Sequence, residues 1–189
     1  MNEVFVLDSQ VGFAASSVNA TYFGQKENAG ELVLAHWLSG TSLWERIRTT
    51  GGAYGAYAGS ANLSGLFNFA TFRDPSAEKS LETFAECLKD AENADFSEEE
   101  CRRSITGTYG DEIQPHSPAG RGTAGFFRTI YCISDDDRRE KLINLLSVKP
   151  EEVKNASARL YSECKNMRTC VITGNKSAKN TSVIINLPL

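Results

Sequence analysis

Residues 43–57, with the sequence LWERIRTTGGAYGAY, decide how this chain is interpreted. The pattern predicts a helix that ends close to Arg48, then a pair of glycines, then a strand that opens near Tyr54. Glycine adopts backbone angles that are closed to other residues, so Gly51 and Gly52 allow the chain to turn sharply after the helix. We therefore expect the turn to hold Arg48 and Tyr54 close in space and facing the same way.

Arg48 and Tyr54 carry two hydrogen-bond donors that suit a developing oxyanion or a peptide carbonyl. A simpler interpretation is a helix end followed by a hairpin, with Arg48 as a solvated cation in the last turn and Tyr54 as an ordinary strand aromatic. Junctions of helix, glycine and strand are common. This segment alone leaves both interpretations open.

Composition and charge narrow the class of protein. The chain has 189 residues, of which 41% are hydrophobic and 23% charged, as in a soluble domain. A net charge of −4 and the lack of a basic run argue against nucleic-acid binding. No apolar stretch approaches the roughly 20 residues that span a bilayer, and the first ten residues do not resemble a signal peptide.

The five cysteines are odd in number and scattered along the chain, without a CxxC pair. This pattern predicts reduced, mostly buried thiols in a reducing intracellular compartment, either the cytoplasm or an organelle matrix. It argues against a zinc site built from cysteines. Only His36 and His116 could serve as the base for a catalytic cysteine, and nothing in the sequence brings either histidine near a thiol.

Hydrophobic periodicity divides the chain into strands and helices. The predicted strands are 4–7, 11–15, 18–23, 53–59, 63–72, 169–174 and 182–187. The predicted helices are 29–38, one that is capped by Thr41 or Ser42, four that begin near Ser76, Ser97, Ser134 and Pro150, and 123–130. Residues 1–189 are therefore predicted to form a single α+β domain, with helices packed on one face of a mostly antiparallel sheet.

Several motifs in order resemble one protein family. The segments LWERIR–TTGGAYGAY, LFNFATFRDP and FSEEECRRSITGTYGD are similar to the last domain of presequence-protease-type enzymes, which are members of the pitrilysin/insulinase family of zinc metallopeptidases. The resemblance runs through nearly the whole chain, and the GGAYG segment and the RDP turn are its most specific parts.

The resemblance implies a larger parent enzyme with four homologous α+β domains, arranged as two halves of a clamshell around a chamber that degrades unstructured peptides. Zinc would be bound by an HxxEH motif in the first domain. This chain would be the last domain, with the N-terminal catalytic half and peptide substrates as its partners. By motif position, Arg48 and Tyr54 would contact the substrate near the scissile bond, and Gly51 and Gly52 would position them.

The chain departs from active members of the family because it contains no HxxEH motif. His36 lies in the helix where an active domain carries that motif, but no Glu–His pair follows it. We expect His36 to be a partly buried structural residue and His116 to lie on the surface. A three-ligand catalytic zinc site cannot be built from these residues, so the fragment alone is expected neither to bind zinc nor to hydrolyse peptides.

Residues of the predicted 53–72 hairpin are further candidates for lining the chamber. Tyr57, Asn68 and Phe72 belong to alternating strands, so half of such positions must point into the core. The following Arg73 and Asp74 are interpreted as a turn with a local salt bridge.

Two rival functions remain at this stage. The domain could be a non-catalytic scaffold or peptide-binding subunit of the same fold, or a free-standing module that binds peptides at an exposed sheet edge. An unrelated soluble enzyme is disfavoured because the sequence offers no credible nucleophile–base pair.

Overall fold

The computed structural model describes residues 2–174 and the backbone of residues 183–186. The strands are β1 (Asn2–Val6), β2 (Phe13–Asn19), β3 (Gly55–Ala61), β4 (Leu66–Phe72), β5 (Arg168–Thr173) and β6 (Val183–Asn186). The helices are α1 (Asn28–Gly40), a π-helix (Trp44–Thr50), α2 (Ala77–Asn93), α3 (Glu98–Glu112), α4 (Pro118–Ile130), α5 (Asp135–Leu146) and α6 (Pro150–Glu163), followed by a 3₁₀ turn (Cys164–Asn166). Within these described ranges, no helix is both long and apolar enough to cross a bilayer.

The strands form one mixed sheet in the order β3-β4-β2-β5-β1-β6. Three of the five neighbouring pairs are antiparallel, namely β3–β4, β4–β2 and β2–β5. The other two pairs, β5–β1 and β1–β6, are parallel. They place the first strand of the chain between its fifth and sixth strands. The predicted α+β class with a mostly antiparallel sheet is confirmed.

The helices cover one face of this sheet. Along β4, Phe67, Phe69 and Thr71 are buried beneath the helices, whereas the residues between them point away. Helix α1 packs against β3, and α2 packs against β2 and β5. In the described part of the chain no helix packs on the opposite face, so its side chains remain at least partly exposed.

Aromatic and aliphatic side chains fill the space between sheet and helices. Phe69 stacks on Phe84 of α2 with a centroid distance of 4.9 Å, and it contacts Phe67 edge-on at 5.2 Å. All three side chains are essentially inaccessible to water. Burying each of them contributes on the order of 1.5–3 kcal/mol to folding, which makes the middle of β4 a rigid support for the uncovered face.

A buried carboxylate joins three parts of the fold. Glu31 of α1 is fully buried and forms an ion pair with Arg159 of α6 at 2.7 Å. It also accepts hydrogen bonds from the backbone N–H and the hydroxyl of Thr21. The predicted strands 11–15 and 18–23 are therefore wrong as two elements, since they form the one strand β2. That strand ends at Asn19 because the Thr21 backbone turns to Glu31 and does not continue the sheet.

Helix starts were predicted well where a serine side chain caps the helix. Ser97 and Glu100 form a reciprocal capping box at α3, and Ser134 and Asp137 form another at α5. Hydrogen bonds from Ser97 hold the pKa of Glu100 below its usual range.

Three predicted boundaries are wrong. Helix α4 begins at Pro118 and not at Thr123, because the Ser117 hydroxyl accepts from the Gly120 N–H and makes Pro118 the first helical residue. Neither Thr41 nor Ser42 caps the second helix, because its N-cap is Leu43 without a side-chain hydrogen bond and the Thr41 hydroxyl donates to the carbonyl of Trp37. The β3–β4 turn lies four residues long at 62–65, later than expected.

Candidate functional site

The turn after the π-helix uses its two glycines for different reasons. Gly52 has a φ of +81°, in the left-handed region that favours glycine. Gly51 has an ordinary φ of −81°, but a Cβ there would lie 2.6 Å from the carbonyl oxygen of Ile47. The expectation that both residues take unusual backbone angles is correct only for Gly52, and Gly51 is required for space.

This turn brings Arg48 and Tyr54 together. The guanidinium carbon of Arg48 lies 6.0 Å from the centre of the Tyr54 ring. The Gly52 N–H donates to the Arg48 carbonyl, and the Tyr54 N–H donates to the carbonyls of Phe72 and Arg73. These bonds fix the backbone at both ends of the turn, so the relative placement of the two side chains is set by the fold.

Trp44 is a neighbour of Arg48 that the sequence reasoning missed. The guanidinium of Arg48 stacks over the Trp44 ring at 3.8 Å. In a π-helix the hydrogen bonds span five residues, which brings residues four apart closer to one line along the helix. The signal was present in the sequence as an aromatic residue four positions before the arginine.

An aromatic cluster surrounds the Arg48–Tyr54 pair, and we define it as Phe13, Trp44, Tyr54 and Phe72. The Tyr54 and Phe72 rings are 5.9 Å apart, and the Phe72 and Phe13 rings are 5.5 Å apart. Tyr54 is 65% exposed despite these contacts. Phe13 and Phe72 lie on the helix-free face of the sheet and Tyr54 packs against Phe72, whereas Trp44 belongs to the π-helix that contacts β3.

The three candidate lining residues all belong to the helix-free face. Tyr57 and Phe72 are exposed, in register with Ala70 and Gly55 on the neighbouring strand. Asn68 is half-buried, and its side-chain oxygen accepts a hydrogen bond of 2.6 Å from the Ser17 hydroxyl. Asn68 therefore has a structural partner, whereas the other two present open surfaces.

The predicted salt bridge between Arg73 and Asp74 is wrong. Asp74 is buried, and its carboxylate accepts from the Ser76 N–H at 2.8 Å and from the Ser80 hydroxyl at 2.6 Å. Arg73 instead has a φ of +49°, and its guanidinium lies 5.5 Å from the centre of the Phe72 ring. The Asp74 carboxylate therefore binds the first turn of α2, and the Arg73 guanidinium packs beside a ring of the aromatic cluster.

The histidines do not form a metal site. His36 is exposed on α1 beside Gly107, so the prediction that it is partly buried is wrong, and its ring nitrogen is 3.8 Å from the Asp111 carboxylate. His116 is exposed, as predicted. Among the described residues no group of three or more His, Cys, Asp or Glu side chains could hold a metal ion, so this part of the chain does not fit a catalytic zinc site.

The cysteines are all free, and they differ in exposure. Cys87 and Cys101 are buried in the core, Cys132 is exposed, and Cys164 and Cys170 are intermediate, so the predicted burial is correct for only part of the set. Burial raises the pKa of Cys164 to about 11. Burial likewise raises the pKa of Cys87, so neither thiol is a ready nucleophile at neutral pH.

Comparisons with known proteins agree with the fold and its motifs. A family model described as "PreP C-terminal domain" matches residues 2–175. Presequence protease 1, chloroplastic/mitochondrial, of Arabidopsis thaliana is 27% identical over 154 residues, which cover 82% of this chain and 14% of that protein. The chain thus spans only about one-seventh of the length of this relative.

Two solved structures show the same fold at low sequence identity. The peptidase M16 inactive domain from Pseudomonas fluorescens superposes with a TM-score of 0.69 at 14% identity, covering 95% of this chain and 45% of that one. Pitrilysin superposes with a TM-score of 0.65 at 12% identity, covering 98% of this chain and 21% of that one. The chain belongs to the PreP C-terminal domain family.

Proposed function

We propose that this chain is the last of four homologous domains of a zinc metalloendopeptidase that degrades unstructured peptides in a closed chamber. The domain is inactive by itself, and the zinc belongs to the N-terminal catalytic half of the same enzyme. Arg48 and Tyr54 contact the peptide near the scissile bond from the opposite wall. The parent enzyme works in a reducing compartment, the cytoplasm or an organelle matrix.

One observation carries this proposal. The guanidinium carbon of Arg48 lies 6.0 Å from the centre of the exposed Tyr54 ring, and neither side chain has a hydrogen-bond acceptor among the described residues. Stacking on Trp44 holds the Arg48 guanidinium without consuming its donors. Two fixed side chains whose N–H and O–H donors have no acceptor suit a peptide carbonyl oxygen as it gains negative charge.

The division of labour follows from the chemistry of each group. The Tyr54 hydroxyl donates one hydrogen bond towards the carbonyl oxygen, and the planar Arg48 fork holds the neighbouring peptide backbone or shares the developing charge. Gly51 and Gly52 set the distance between these donors. Because the two halves of the site come from different domains, activity requires the enzyme to close around the peptide.

The test is Tyr54→Phe in the full-length enzyme. Phenylalanine keeps the ring contact with Phe72 and removes only the hydroxyl. We expect kcat to fall by about 100- to 1,000-fold, since one preorganised oxyanion donor is worth about 2.7–4 kcal/mol. Zinc content is expected to stay unchanged. Steady-state kinetics and metal analysis measure both quantities.

Tyr131→Phe is the matched control, because Tyr131 is an exposed tyrosine beyond α4. Its kcat should equal that of the unsubstituted enzyme. An unaltered kcat in Tyr54→Phe would overturn the proposed role. A fall in both variants would point to general damage and not to this site.

The rival module that binds peptides at a sheet edge is disfavoured at β3. This strand lies at one edge of the sheet, where an added peptide strand would need free backbone groups. The Ser39 hydroxyl accepts from the Ala58 N–H at 2.9 Å in the middle of that edge. The scaffold alternative differs by its prediction that Tyr54→Phe leaves the activity of the assembly unaltered.

A further inference from the structure

Arg73 is a strained residue that the proposed chemistry does not use. Its φ of +49° is uncommon for a residue with a side chain, because Cβ then crowds the backbone. Residues held in such conformations cluster at functional sites, where the surrounding structure maintains them. The contacts of the Arg73 side chain indicate why this conformation is maintained.

Hydrogen bonds on both sides prevent Arg73 from relaxing. Its carbonyl accepts from the Tyr54 N–H at 3.3 Å. The next residue, Asp74, exchanges two backbone hydrogen bonds with Gly12, of 2.7 and 2.8 Å. The Asp74 carboxylate is in turn bound by the N–H of Ser76 and the hydroxyl of Ser80. The turn is thus anchored to β2, to α2 and to the residue that carries the candidate phenol.

The result is a line of contacts in which two rings lie between two cations. The Arg73 guanidinium lies 5.5 Å from the Phe72 ring, that ring is 5.9 Å from the Tyr54 ring, and Tyr54 is 6.0 Å from Arg48. Arg73 therefore lies one aromatic ring beyond the Arg48–Tyr54 pair, on the same uncovered side of the sheet.

Both arginines of this line lack an acidic partner. The ion pairs that the described residues form engage other basic side chains, as with Arg46 and its partners Glu86 and Asp90. Arg48 and Arg73 take part in none of these pairs, although the chain has a net charge of −4. Asp74, the acidic residue next to Arg73, is buried, and its carboxylate already accepts a hydrogen bond from the Ser80 hydroxyl. The site therefore presents uncompensated positive charge beside apolar rings.

We propose that Arg73 binds a carboxylate of the peptide substrate, close to the bond that Arg48 and Tyr54 contact. The planar guanidinium fork matches a carboxylate with two parallel hydrogen bonds, and the Phe72 ring keeps the fork oriented. The carboxylate comes either from an Asp or Glu side chain or from the C-terminus of a short peptide. This inference rests on the proposed function, because it assigns a substrate class to the same surface.

The experiment uses the full-length enzyme and four matched peptides. One pair differs only by Glu or Gln at one position near the cleaved bond. Separate syntheses place this Glu or Gln at successive positions along the peptide. The other pair differs only by a free or an amidated C-terminus. Cleavage is followed by mass spectrometry to obtain kcat/KM, and binding is followed by the anisotropy of a labelled, otherwise identical peptide.

We expect Arg73→Gln to lower kcat/KM for the carboxylate peptide of one pair by about tenfold, while its neutral partner changes by less than about twofold. Which pair responds identifies the source of the carboxylate. Arg73→Lys should recover part of the loss, since it keeps the charge without the fork. Arg102→Gln, which removes an exposed arginine of α3, should leave all four peptides unaffected. Equal effects of Arg73→Gln on both members of each pair would overturn the inference.

Arg73→Gly separates this role from a structural one. Glycine accepts a φ of +49° without strain, so the variant should keep or raise its Tm while it loses the discrimination between Glu and Gln peptides. A lower Tm together with equal losses for all peptides would mean that Arg73 only supports the fold. If Tyr54→Phe is fully active but Arg73→Gln still lowers kcat/KM only for the carboxylate peptide of one pair, the catalytic proposal fails and the carboxylate site stands.

Discussion

Two surfaces of this domain expose aromatic side chains, and they are built in opposite ways. In the aromatic cluster, Tyr54 and Phe72 rest on a sheet whose other face is packed against helices. On α4, Phe126 and Phe127 are 62% and 45% exposed, and none of the side chains of that helix is buried. The first surface is supported by the core, and the second is carried by a helix that contributes little to it.

The contrast between these two surfaces shows how exposed aromatic side chains should be interpreted in this fold. Exposed rings that are fixed by a rigid sheet and flanked by guanidinium groups are preorganised to receive a ligand. Exposed rings on a helix with few buried contacts can move by local opening at low free-energy cost. Exposure alone is therefore a weak criterion for a binding surface, whereas exposure on a rigid support with unpaired donors favours the proposed Arg48–Tyr54 site.

The largest expected contrast comes from Phe69→Ala and Phe126→Ala. Phe69 is 1% exposed and stacks on Phe84, so its truncation should lower the free energy of unfolding by about 3–5 kcal/mol. Phe126→Ala should alter it by less than about 0.5 kcal/mol. Urea unfolding of the two variants measures both. A cost at Phe126 that matches the cost at Phe69 would mean that α4 is integral to the core.

The next contrast is between Gly52, in the turn after the π-helix, and Gly125, on α4. Gly52→Ala forces a side chain into a φ of +81° and should cost about 1–2 kcal/mol of stability. Gly125→Ala, in the interior of α4 with open space around it, should stabilise the domain by up to about 1 kcal/mol. Thermal unfolding gives the sign of each change, and a stabilised Gly52→Ala variant would contradict the described turn. In the full-length enzyme Gly52→Ala should also reduce activity, because it shifts Tyr54 relative to Arg48.

The smallest effect is expected for the stacking of Arg48 on Trp44. A double-mutant cycle with Trp44→Ala and Arg48→Ala should give a coupling energy of about 0.5–1 kcal/mol, as for an exposed cation–π pair. Pairing Trp44→Ala with Arg102→Ala is the control and should give no coupling. A coupling of zero in the first cycle would remove Trp44 from the site.

Much of the fold could be predicted because its signals are local. The LFNFATF alternation predicts the half-buried strand β4, and Ser97 and Ser134 with their acidic partners predict two helix starts. The proximity of Arg48 and Tyr54 follows from a short turn with glycines. In each case the residues that determine the structure are within a few positions of one another.

The predictions failed where a residue bonds to something other than its sequence neighbour. Thr21 leaves the sheet because Glu31 of α1 accepts its hydrogen bonds, which requires α1 to pack beside it. Asp74 turns away from Arg73 because the Ser76 N–H and the Ser80 hydroxyl both donate to its carboxylate inside the core. A sequence pattern does not show which of several possible partners a carboxylate takes, so the adjacent Arg and Asp predict an ion pair that the described residues do not form.

The position of β1 in the sheet has a consequence for the order of folding. β1 is the first strand in the chain, yet its partners are β5 and β6, with Asn2 in register with Thr169. β3 and β4, by contrast, form a hairpin with a four-residue turn. Contacts between residues close in sequence form faster than contacts between distant ones, so the edge that carries Tyr54 should become protected in pulsed hydrogen exchange before β1 does. Simultaneous protection of β1 and of the β3–β4 hairpin would contradict this order. The order means that the strands beside Tyr54 form before β1 pairs with β5 and β6.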